Sequence, residues 1–77
     1  MRPLHAIARE VRRDWIKPNF AAVPYLEAMG ALDRITDKYY CDDGASVVAY
    51  FLSNAGTWRG ETAKRVKAEL KDMMKHA

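Results

Sequence analysis

Four lysines, Lys64, Lys67, Lys71 and Lys75, recur three or four residues apart near the end of the chain. On an α-helix that spacing sets them along one face, a row of ammonium groups suited to an acidic partner. Like charges at this spacing cost a helix roughly 0.2–0.5 kcal/mol per pair. A row kept against that penalty is a candidate binding surface. Arg9, Arg12 and Arg13 form a second basic group near the N-terminus, and Trp58-Arg59 stand just ahead of the lysines. Trp and Arg are enriched at interface hot spots, so this pair is a candidate anchor. The plainer reading gives Trp58 to the edge of a small core and the lysines to a solvated face.

Catalytic chemistry is poorly supplied. A hydrolase needs a Ser or Cys nucleophile beside a His base. His5 and His76 fall near opposite ends of the chain on polar helix faces, and Cys41 is remote from both in sequence. One Cys and two separated His give no metal-ligand spacing, and Asp37, Asp42 and Asp43 do not form a calcium loop. The expectation is a protein that is not an enzyme and uses no metal and no cofactor.

Composition narrows the class further. The chain has 77 residues, 49% hydrophobic and 30% charged, in keeping with a single globular domain over 1–77. A chain of this size buries only about 60% of the surface it would expose unfolded, so the core is small. The single cysteine excludes an internal disulfide and fits a reducing, cytoplasmic setting. The longest uncharged stretch, Gly44 to Trp58, is too short and too polar to span a bilayer, and Arg2 is not followed by an apolar signal region. No membrane partner is expected.

The net charge of +3 conceals blocks. Residues 1–19 carry five Arg/Lys against two acids, and residues 20–43 two against five. Residues 44–56 carry none, and residues 57–77 carry six against three. Basic ends and an acidic middle either attract one another across the fold or bring two basic patches together.

The elements that must position these groups are helical. Leu4, Ile7, Ala8, Val11 and Trp15 make an apolar stripe over about Pro3 to Ile16, closed by Pro18. Pro24 opens a second, shorter helix that buries Tyr25, Met29 and Leu32 and ends between Asp33 and Asp37. Gly30 inside it would mark a close helix–helix approach. Residues 36–44 read as a connector in which Asp42 or Asp43 caps the third helix. That helix, Ala45 to Ala55, is apolar around most of its girth and is expected to be the hub, stopped by Gly56. Thr57 then caps a fourth helix, Trp58 to Lys75, with Ala63, Val66, Leu70, Met73 and Met74 inward. Glu61–Arg65, Arg65–Glu69 and Asp72–His76 are available as pairs on its other flank. The predicted fold class is all-α: a compact four-helix single domain, three long helices plus one short, with the third helix central.

The run Ser46-Val47-Val48-Ala49-Tyr50-Phe51-Leu52-Ser53-Asn54-Ala55, then Thr57 to Leu70, with Arg2-Pro3-Leu4 and Val23-Pro24-Tyr25-Leu26-Glu27-Ala28-Met29, resembles a group of small all-helical bacteriophage and prophage proteins. The resemblance covers nearly the whole chain and carries no catalytic or ligand motif. It implies an accessory protein that acts by binding a host or phage macromolecule, as some such proteins do when they inhibit host defence complexes.

The expected function is non-catalytic binding of a host or phage protein through a basic, aromatic-flanked helical surface. Its candidate residues are Arg9, Arg12, Arg13, Trp58, Arg59, Lys64, Lys67, Lys71 and Lys75. The alternative is DNA or RNA binding by a helix-turn-helix of the third and fourth helices, with Gly56 in the turn. Thr62 then falls where such a motif buries an apolar residue. Met73 and Met74 offer a homodimer seam, against the plainer reading of core edge.

Overall fold

The computed structural model describes residues 2–76. Four helices follow one another: α1 (Leu4–Asp14), α2 (Val23–Met29), α3 (Gly44–Ser53) and α4 (Glu61–Lys75). A single 3-10 turn, Phe20–Ala22, leads into α2. Between α2 and α3 lies a small antiparallel hairpin of β1 (Lys38–Tyr39) and β2 (Asp42–Asp43), in register Lys38 to Asp43 and Tyr39 to Asp42. The fold is therefore mainly helical but not strictly all-α.

Backbone hydrogen bonds set the helix directions. The N–H groups of Leu4 and His5 lack partners within α1, as at any helix start, and donate to the carbonyls of Asp33 and Leu32 at 2.8 and 2.9 Å. Those carbonyls lie just past α2, so the start of α1 meets the exit of α2. At the opposite end the Asn19 amide donates to Asn54 O at 3.1 Å, tying the entry of α2 to the exit of α3. Glu10 and Arg65, and Arg2 and Glu69, pair across α1 and α4 in antiparallel order. The four helices thus alternate in direction.

The helix ends differ from those the periodicity predicts, each for a local reason. α1 stops at Asp14, and Trp15 leaves helical geometry with ψ 87°. α2 ends at Met29 because Leu32 and Asp33 are turned to serve α1; Gly30 is its exposed C-cap, and a Cβ there would meet only the carbonyls of Glu27 and Leu26 of its own helix. At the end of α3, Ser53 Oγ and Asn54 Nδ2 donate to the carbonyls of Ala49 and Tyr50 at 3.0 and 2.8 Å. These side chains close α3 where Gly56 was expected to. α4 begins at Glu61, because Gly60 at φ 114° and ψ −179° occupies a region essentially reserved for glycine. Thr57 therefore caps nothing, and Trp58-Arg59 lie ahead of the helix. The expected cap on α3 is present: Asp43 Oδ1 accepts the Ser46 N–H at 2.8 Å. That bond, with the Ser46 hydroxyl, lowers the Asp43 carboxyl below its ordinary range.

The core is shared by all four helices. Leu4, Ile7 and Val11 of α1, Leu26 and Met29 of α2, Val48 and Phe51 of α3, and Val66 and Leu70 of α4 are fully buried. α3 is one wall and not a hub: Ala49, Tyr50 and Ser53 remain exposed. Its all-round apolar appearance comes from small residues and a tyrosine, which tolerate water. The entry to α3 is tight. A Cβ on Gly44 would sit 2.7 Å from Ile35 O and 2.8 Å from Arg34 O, so the hairpin can deliver α3 against residues 34–35 only without a side chain there.

Candidate binding surface

Trp58, expected as an anchor, is 2% exposed and belongs to the core. Its ring stacks on Trp15 at 5.8 Å between centroids and 13° between planes, and meets Phe51 edge-on at 6.4 Å. Its indole N–H donates to Asp14 Oδ2 at 2.8 Å, which satisfies the one polar atom of a buried ring. Trp58 therefore positions its neighbours and offers a partner almost no surface.

What it positions is a shallow groove of about 560 Å³ lined by Arg59, Gly60, Glu61, Lys64 and Lys67. Lys67 does not stand free in the lysine row. Its Nζ donates to the Trp58 carbonyl at 2.6 Å and lies 5.9 Å from the centre of the Trp58 ring. Burial, then the neighbouring charges of Lys71 and Arg59, hold its ammonium group below the usual lysine pKa. The row is thus three exposed ammonium groups, Lys64, Lys71 and Lys75, with Lys67 folded back as a strut. The groove opens at the N-terminus of α4, which has no side-chain cap, so the positive end of the helix dipole adds to the cations.

Among the described residues, Arg59, Lys64, Lys67, Lys71 and Lys75 have no carboxylate within ion-pair distance. The other flank of α4 is the opposite. The predicted Glu61–Arg65 and Arg65–Glu69 pairs give way to pairs across the α1–α4 seam. Arg65 reaches Glu10, and Arg2 grips Glu69 through both Nε (3.1 Å) and Nη2 (2.6 Å) while its Nη1 lies 2.7 Å from Glu10. Arg65 first, then Arg2, hold the Glu10 carboxyl below its ordinary pKa against the opposing effect of burial. Asp72–His76, at 3.2 Å, forms as expected.

α1 and α4 are neighbours, yet their basic groups do not merge. Arg9 and Arg12 line a separate groove with His5, Ala8 and Gly30 on the α2 side of α1. Arg13 lies at the seam with Glu10, Asp14 and Thr62. Glu10, paired at the seam, stands between the two sets. Arg59, Lys64 and Lys67 are the cations that the fold gathers at one groove, with Lys71 close enough to Lys67 to act on its charge.

One other expectation changes. α3 and α4 are joined by residues 54–60, with Trp58 buried inside the link, where a helix-turn-helix uses a turn of about three or four residues. Met73 is 4% exposed and Met74 is partly buried against the core, as the plainer reading of a core edge has it. No helix among the described residues is long and apolar enough to cross a membrane. Phe20, 91% exposed, and Tyr50, 53% exposed, lie outside the set of residues expected to bind. The signal available for them was the lack of charge around both.

Comparison of the chain with protein-family models, with curated proteins and with solved structures gives no match.

Proposed function

We propose that this chain is a non-catalytic accessory protein of phage or prophage origin that holds an acidic macromolecular partner, a host or phage protein, against the first half of α4. The observation that carries the reading is the clustering of Arg59, Lys64, Lys67 and Lys71 without a carboxylate partner, while Arg2 and Arg65 on the far flank are fully engaged. Unpaired cations on a rigid helix are pre-placed for carboxylates and need no internal pair broken first. Arg59, Lys64 and Lys71 make the contacts, Lys75 extends them, and Lys67 with Trp58 fixes the loop that carries Arg59. The phage assignment draws on the sequence resemblance. The non-catalytic assignment draws on His5 and His76, each engaged with an aspartate and neither beside a nucleophile.

The test compares an Asp/Glu-rich peptide with a mixed-sequence DNA duplex at low and moderate salt, using the wild-type chain and the Arg59→Glu, Lys64→Glu, Lys71→Glu triple variant. Peptide binding that the variant loses by more than about tenfold supports the reading. Preference for the duplex, with log affinity falling against log salt by about 0.9 per phosphate contacted, moves the function to nucleic acid. Binding of neither probe at low salt, or equal binding by the variant, overturns the assignment of this face.

A further inference from the structure

Lys17, Lys38, Lys64, Lys71 and Lys75 are exposed, whereas Lys67 is half-buried. Its Nζ donates to the Trp58 carbonyl at 2.6 Å and lies 5.9 Å from the centre of the Trp58 ring. Trp58 is itself fixed by Trp15, Phe51 and Asp14. A side chain normally free to sweep through water is therefore held at one wall of the groove that Arg59 and Lys64 also line. Glu61 is the one carboxylate lining that groove, and among the described residues it forms no ion pair with these cations. Burial, then the charges of Lys71 and Arg59, lower the pKa of the Lys67 ammonium group and so raise its share of free amine. A primary amine with a fixed position, in a groove that attracts anions, is a nucleophile waiting for an anionic electrophile.

We infer that Lys67 is an acylation site for small acyl phosphates, which the groove takes up by their phosphate group. Arg59 and Lys64 supply the positive charge that draws the phosphate. An acyl phosphate carries its reactive carbonyl one oxygen away from phosphorus, so a phosphate held by those cations brings that carbonyl to the wall where Lys67 stands. The Trp58 carbonyl holds one N–H of the free amine, which leaves the nitrogen lone pair for the electrophile. The nitrogen attacks the carbonyl carbon, the bond from that carbon to the phosphate oxygen breaks, and the nitrogen's proton leaves with the phosphate. The products are an amide at Lys67 and hydrogen phosphate, and no oxidant or reductant is needed. Lys64, Lys71 and Lys75 stand in water without this placement. The amide carries no charge, so acylation removes one of the three cations lining the groove. None of this rests on the acidic-partner reading, in which Lys67 is only a strut and the contacts are made by its neighbours.

The test treats the full chain with acetyl phosphate, and separately with acetic anhydride, and follows each lysine by peptide mass spectrometry at partial conversion. With acetyl phosphate, Lys67 should gain the acetyl group at least about tenfold faster than Lys64, Lys71 or Lys75. Acetic anhydride has no phosphate to be held, so its preference for Lys67 should be several-fold smaller. In the Arg59→Gln, Lys64→Gln double variant the preference shown by acetyl phosphate should fall to that of the anhydride. Both residues are exposed, so helical circular dichroism should be unchanged. Inorganic phosphate added to the wild-type chain should lower the preference in the same way by competition, a readout that needs no variant to fold. Equal labelling of all the lysines, a Lys67 that reacts more slowly than its neighbours, or a preference that neither the double variant nor phosphate diminishes would each overturn the proposal.

Discussion

The α1–α4 seam and the α2–α3 junction solve the same packing problem with opposite chemistry. At the seam, Arg2, Glu10, Arg65 and Glu69 alternate across two antiparallel helices, so a slip of register would set like charges together. At the junction the register is held by the Tyr25–Tyr50 stack, the Asn19–Asn54 bond and the close fit of Gly44, without any ion. Partly exposed ion pairs contribute little net stability but discriminate strongly between alignments. Shape and stacking give stability that is indifferent to pH and salt. The molecule thus has one side whose helices are tied by ion pairs and one whose helices meet without them, the ionised Asp43 cap standing at the start of α3.

Substitutions can break or sharpen that contrast. The largest effect is expected at Trp58, which joins the two sides by packing on Trp15 beyond α1 and on Phe51 of α3. Trp58→Ala should cost about 3–5 kcal/mol in urea unfolding, enough to unfold much of a domain this small. Trp58→Phe should recover most of that loss, because it sacrifices only part of the ring and the bond to Asp14. Next is Gly44→Ala on the side whose helices meet without ion pairs. With backbone oxygens under 3 Å from the added carbon, the hairpin must move, at about 1–3 kcal/mol. The loss should be the same at about pH 5.5 and pH 7, where the neighbouring Asp43 cap is ionised in both the folded and the unfolded chain.

Glu10→Gln probes the charged side and should cost at most about 1 kcal/mol at neutral pH, its side chain being 27% exposed. Its signature is the pH profile. Arg65 and Arg2 depress the folded-state pKa of Glu10, so the pairs add stability above the unfolded pKa of about 4.3 and lose it as pH falls through the lower folded value. Glu10→Gln should therefore flatten the acid side of the melting-temperature profile, an effect absent in Gly44→Ala. Similar in size is Tyr50→Ala, which removes a half-exposed stack worth about 0.5–1.5 kcal/mol. Its loss should not change between low and moderate salt, whereas the loss in Glu10→Gln should shrink.

The legibility of these two sides in the sequence was unequal. The apolar stripe of α1 and the inward face of α4 were readable because helical periodicity survives any tertiary context, and Asp43 was readable because a cap is a local bond. Where each helix ends was not. Gly60 and the side chains of Ser53 and Asn54 decide the two boundaries around Trp58, and neither signal outweighs a continuing apolar pattern. The hairpin escaped notice because four residues, two of them aspartates, carry no alternation, and Tyr40 turns it at φ 57° without a glycine. Arg65 was paired within its own helix by spacing rules, whereas the fold brings Glu10 nearer from another helix. The α2–α3 junction was beyond a linear reading, since Asn19 and Tyr25 meet Asn54 and Tyr50 only in space. Of the candidate site, Arg59 and Lys64 stay together at one groove with Lys71 near Lys67 beside it, while the positions of Trp58 and Lys67 follow from a ring stack linking residues 15 and 58.

That stack has an optical consequence. The chain has only two tryptophans, and the fold sets their rings nearly parallel, one above the other, both shielded from water. Indoles so placed share their excitation. The folded protein should show a coupled near- and far-ultraviolet dichroism that neither ring has alone, and emission depolarised by transfer between them. Separation of residues 54–60 from the end of α1 would extinguish both signals while leaving the backbone helices intact. The protein therefore carries, without any label, a reporter of the junction that aims Arg59.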